Sequence, residues 1–159
     1  NTFSGMINER LSNTVLMEIG FMLLSEGKTV RIRADGNSMY PSIKPGSIIF
    51  IEPYEPGTKP RRGDIIAWTR DSGFVVHRLV SIYSQKMQRH YVTRGDCCAA
   101  EDKPITIDQI VGKVVRVENP EGKVVPPEKY SNKNPNYSRN RRMLRIISQI
   151  YRLKRVFGL

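Results

Sequence analysis

Cysteine is scarce: the chain has two, adjacent at 97 and 98. A bond between neighbours is strained, so no disulfide framework holds this fold, and a reducing compartment is the expected setting. Long apolar runs are also missing. The most apolar segment, Val15 to Leu24, contains Glu18 and is about half as long as a bilayer crossing requires. Acids are few, with 15 Asp and Glu against 26 Lys and Arg, which gives a net charge of +11. That imbalance draws a protein to polyanions, nucleic acid or anionic lipid, and says nothing about fold. Adjacent thiols with His77 or His90 make poor zinc geometry, so neither a metal nor a cofactor is expected.

What is present is the composition of a soluble globular protein, 39% hydrophobic and 26% charged with a mean hydropathy of −0.42. At 159 residues the chain can build one modest core. Residues 6–24 place Ile7, Leu11, Val15, Leu16, Ile19, Met22 and Leu23 near helical spacing, and Gly27 is a natural stop. This predicts an amphipathic helix within residues 1–27, packed over an open sheet edge. From 28 to 127 the chain reads as short strands and turns. They are Thr29–Ala34, Ile48–Ile51, a hairpin of Ile65–Thr69 and Phe74–Ile82, His90–Arg94 and Ile110–Val117, with a last short strand after Asn119–Gly122. Many short strands without intervening helices point to a mainly β sandwich or partly open barrel.

Within this region Asp35-Gly36-Asn37-Ser38-Met39-Tyr40-Pro41 follows a predicted strand. Pro41 fixes its own φ and restricts Tyr40, so the Ser38 hydroxyl sits on a stiff turn, as a nucleophile requires. The same residues equally suit a serine that only hydrogen-bonds its own turn. Three later blocks bear on the choice: Gly63-Asp64-Ile65-Ile66-Ala67-Trp68, Val75-Val76-His77-Arg78-Leu79-Val80, and Tyr91-Val92-Thr93-Arg94-Gly95-Asp96 with Asp102 beyond.

The order and spacing of these blocks over residues 29–118 resemble the catalytic domain of type I signal peptidases and LexA-like self-cleaving repressors. The best match is the Ser-His branch, the endoplasmic-reticulum and archaeal type; the bacterial type has Lys where this chain has His77. The resemblance implies a partly open barrel in which Ser38 attacks a peptide carbonyl and His77 takes its proton. A lysine in that role must be strongly desolvated, whereas histidine as a residue type titrates near neutrality. Asp96 and Asp102 both match functional positions, and sequence leaves open which one orients His77. The first oxyanion donor would be the Ser38 amide, with Asn37 as a candidate second. Two departures stand out: Gly36 replaces a hydroxyl residue of the bacterial enzymes, and Cys97-Cys98 replaces Asn-Asn. Met39, Ile43, Ile49, Phe50 and Trp68 fit a substrate wall or plain core equally well.

Residues 128–140 read as a polar, turn-rich linker, and 141–158 as a basic amphipathic helix. Its apolar side carries Met143, Ile146, Ile147, Ile150, Leu153 and Phe157, with Arg141, Arg145 and Arg152 opposite and Lys154 intruding. From 128 onward nine basic residues face one acid, Glu128, so most of the net charge lies here. The expected activity is a serine endopeptidase cutting a peptide or leader after small residues. The rivals are a LexA-like self-cleaving regulator and a non-enzymatic protein that uses its basic tail on lipid or nucleic acid. The expected partners are a peptide or protein substrate and an anionic membrane surface met through 139–158; nucleic acid is not expected. The expected location is the cytoplasm or the cytoplasmic membrane face. A chain beginning with Asn rather than Met leaves an extracytoplasmic one open.

Overall fold

A computed structural model describes residues 15–71, 73–131 and 134–157. Six strands, β1 (Val30–Ala34), β2 (Ser47–Glu52), β3 (Ile65–Arg70), β4 (Gly73–Gln85), β5 (Gln88–Arg94) and β6 (Ile110–Glu118), form one antiparallel sheet. Its order is β1-β2-β6-β3-β4-β5. β1 and β5 each pair with a single neighbour, so the sheet stays open. This is the mainly β architecture the strand pattern predicts.

β3 shows how the sheet builds its interior. Ile65 and Ala67 join a cluster with Val30, Ile49, Ile51, Val114 and Val117, while Ile66 and Trp68 join Leu79, Tyr91 and Ile105. Alternate side chains of a strand point to opposite faces, so β3 is covered on both. The helix over residues 15–25, here α1, adds Leu24 to the first cluster and sets Phe21 against Phe74 at 4.2 Å between ring centroids. α1 packs here through Gly20, where a Cβ would meet the Phe74 ring at 3.4 Å and Val30 at 3.9 Å, ordinary contact distances. The predicted helical positions Ile7 and Leu11 lie outside the described residues.

Three expectations are corrected. β4 and β5 run on into a second hairpin whose turn residues Lys86 and Met87 have φ of 49° and 62°. Tight hairpin turns of that hand usually carry Asn-Gly, so the sequence gives no signal for this one. The last short strand reduces to one bridge, Glu118 to Val124, because Pro126 and Pro127 lack the amides to extend a ladder. The stretch read as a linker, 128–140, is docked on the domain where it is described, at 128–131 and 134–140. A one-turn helix α2 (Pro127–Tyr130) buries Tyr130, whose hydroxyl donates to the Val115 carbonyl at 3.0 Å. The basic helix α3 then spans Tyr137–Phe157 and starts earlier than its composition suggests.

Candidate active site

The site gathers at one end of β4 and β5. Ser38 lies on the turn after β1, where the Ile43 amide donates to the Met39 carbonyl at 2.9 Å and the Tyr40 amide to the Asn37 carbonyl at 3.0 Å. The Tyr40–Pro41 peptide is cis. The loop following β5 is clipped to this turn through backbone alone: the Cys97 amide donates to the Ser38 carbonyl at 2.8 Å. Such a bond is indifferent to side chain, so cysteine can stand where the resembling enzymes have asparagine.

His77 and Asp102 meet directly, with Nδ1 2.7 Å from Oδ2. The Thr93 hydroxyl donates to the same carboxylate oxygen at 2.7 Å, and the Asp102 amide donates back to the Thr93 carbonyl at 2.8 Å. Burial pushes the Asp102 carboxyl up, but the His77 and Thr93 hydrogen bonds outweigh it and hold its pKa below the usual carboxylate range. A charged Asp102 favours the tautomer with the proton on Nδ1, in which Nε2 carries the lone pair. That nitrogen faces Gly95. A methyl group built on Gly95 would lie 3.0 Å from His77 Nε2, 2.8 Å from the Ser38 carbonyl oxygen and 2.6 Å from Cys98 Sγ. The missing side chain of Gly95 is therefore what lets imidazole and serine turn share one space. The hydroxyl and amide of Ser38 carry no hydrogen bond among the described residues.

Asp96, the other candidate orienter, does not touch His77. It is fully buried against fully buried Arg78, with Nε to Oδ1 at 2.8 Å and Nη2 to Oδ2 at 2.7 Å. Arg78 spends its remaining donors on the Gly63 carbonyl at 3.1 Å, the Tyr130 carbonyl at 2.7 Å and Ser42 Oγ at 3.2 Å. The Ser42 hydroxyl in turn donates to Asp96 at 2.5 Å. One guanidinium thus ties the histidine strand to the serine turn, the aspartate loop and α2. Sequence reasoning passed over Arg78; the available signal was an arginine amid Val75, Val76, Leu79 and Val80, where a charge demands a partner. Thr93, Gly95 and Ser42 were also missed, as their roles are contacts that the sequence does not display.

A pocket of about 210 Å³ opens beside Ser38, lined by Met17, Ile32, Ala34, Gly36, Met39, Ile43, Ile49, Phe74 and Val76, among others. Met39, Ile43 and Ile49 are thus both core and pocket wall, whereas Phe50 and Trp68 do not reach it. A larger groove of about 860 Å³ between α1, the 53–58 loop and β6 contains none of the candidate site residues. Both cysteines are free. Burial pushes both thiols up, Cys98 further through the Asp102 charge, which disfavours the reactive thiolate. Among the described residues no cluster of three or more His, Cys, Asp or Glu is placed to hold a metal, and no helix is long and apolar enough to cross a membrane.

No curated protein matches the chain. A family profile does: Peptidase S24-like aligns with residues 6–115, more than half the sequence. That span includes the serine turn, the histidine strand and the aspartate loop, all within the open antiparallel sheet. The chain belongs to the Peptidase S24-like family, within the superfamily of signal-peptidase-like and LexA-like serine peptidases.

Proposed function

We propose that this protein is a serine endopeptidase of the Ser-His kind that cleaves an extended peptide after a small residue. The observation that carries the reading is the convergence at Gly95, where the Ser38 turn and a His77 ring held by Asp102 come within reach of one methyl group. Ser38 Oγ attacks the scissile carbonyl while its proton passes to His77 Nε2. The free Ser38 amide is available to the developing oxyanion, with the Asn37 side chain as a second candidate donor. His77 then returns the proton to the leaving amine, and water, deprotonated by the same imidazole, releases the acyl group. Asp102 is the orienting carboxylate; Asp96 is a positioning residue that acts through Arg78.

The substrate path follows from sheet topology. Among the described residues β1 has an edge that no strand pairs, leading directly into the serine turn, which suits addition of an extended peptide as a further strand. The adjoining pocket of about 210 Å³ has mainly apolar lining residues, with Arg33 and Ser38 among the polar ones, and suits a small side chain beside the cut. The test uses a serine-reactive acylating probe and a peptide library with small residues at the cleavage point. Wild type should label on Ser38 and cleave; Ser38→Ala and His77→Ala should do neither at a comparable rate. Wild type that takes no label at Ser38 while folded would end the enzyme reading.

A further inference from the structure

The C-terminal helix is rooted in the candidate site and then leaves the domain. The Tyr137 ring lies 3.7 Å beneath the Arg94 guanidinium, Asn140 Nδ2 donates to the Asp96 carbonyl at 3.0 Å, and Arg141 donates to the Cys98 carbonyl at 3.2 Å. Partial burial continues as far as Ile147, and every residue from 148 to 156 is exposed. Those exposed turns are not the surface of an ordinary soluble helix. Ile146, Ile150 and Leu153, at helical spacing, are 56%, 47% and 56% exposed, while Arg145, Arg152 and Arg155 occupy the other side and Arg142 and Lys154 flank the stripe. α3 contains no acid.

We infer that α3 is a surface anchor for an anionic lipid membrane. A helix this basic does not cross a bilayer, but it can lie in the interface with its apolar stripe below the headgroups and its arginines among them. A nucleic acid would use the arginines and leave Ile146, Ile150 and Leu153 in water. A layer of negative charge above an apolar interior satisfies both sides of the helix along its exposed length. Because the root of α3 grips the loop from Gly95 to Asp102, a bound α3 holds the serine site at the lipid surface. The inference does not depend on the peptidase chemistry.

The experiment is sedimentation of the full chain with phosphatidylcholine vesicles, with and without phosphatidylglycerol. Wild type should sediment with the anionic vesicles and stay in solution with the neutral ones. Arg145→Ala with Arg152→Ala should lower the partition roughly 30-fold at low salt, since each basic residue near such a surface contributes about fivefold. Ile150→Ser with Leu153→Ser, which keeps the charge, should bring binding close to background; circular dichroism would verify that the domain remains folded. Ser38→Ala should bind as wild type does, so a failed peptidase assay leaves this result standing. Three outcomes would overturn the anchor: equal binding to neutral vesicles, retention by duplex DNA without vesicle binding, or a concentration-dependent dimer that anionic vesicles do not compete with.

Discussion

His77 and Arg78 are neighbours on β4, and each faces an aspartate of the same loop, yet the two pairs sit in different surroundings. The Arg78–Asp96 side chains are both 0% exposed, and their polar atoms are consumed by five contacts of the guanidinium and one further donor, Ser42 Oγ. The His77–Asp102 side chains keep 12% and 18% of their surface in contact with solvent, and one ring nitrogen is unspent. Strand alternation sends the two side chains to opposite faces. A saturated buried pair can hold elements together but has nothing left for a substrate, whereas a half-buried pair with a free lone pair can do chemistry. On the proposed mechanism, adjacent residues thus separate support from reactivity.

Substitutions can break that division. The largest effect should come from Ser38→Ala, which on the proposed mechanism lowers kcat on the order of a millionfold while leaving the thermal midpoint near wild type. Asp102→Asn should follow, with kcat down on the order of ten-thousandfold because the wrong tautomer is held, and stability within about 1 kcal/mol. Single-turnover kinetics beside urea unfolding separates the two readouts. Asp96→Asn should reverse the pattern: stranding Arg78 costs about 3–5 kcal/mol of unfolding free energy, a large share of what a small domain possesses. If Asp96→Asn left stability intact and abolished only turnover, the support role would be wrong.

Gly95 lies between the pairs and sharpens the contrast. Gly95→Ala places a methyl against a backbone carbonyl at 2.8 Å, which has little room to move, so the serine turn must shift from His77. A loss of about a hundredfold in kcat is expected, with acylation by the probe slowed in proportion. The smallest effect is on acid stability. Asp102 has a depressed folded-state pKa, so its contribution is complete above the unfolded value of about 3.9 and is lost as pH falls through the lower folded value. Thermal midpoints should therefore fall in that acid window for wild type and fall less steeply for Asp102→Asn.

Much of the fold was legible because period-two patterning and turn residues are local. β1, β2, β3 and β6 lie close to where alternation and Gly or Pro turns put them. The β4–β5 hairpin was hidden because Lys86 and Met87 adopt positive φ without the residues that advertise it. The docking of Tyr130 and Asn140 was hidden for another reason: both are ordinary polar-segment residues until their partners, Arg78 and Asp96, are brought from far along the chain.

The sequence by itself determined the serine on a stiff turn, the single histidine in the β4 block and the basic, acid-free tail, since these depend on residue type and near spacing. Only tertiary structure decided that Asp102 rather than Asp96 meets His77. The two carboxylates stand six positions apart on one loop, and which of them faces the imidazole is set by how that loop folds back onto Thr93 and the Ser38 turn.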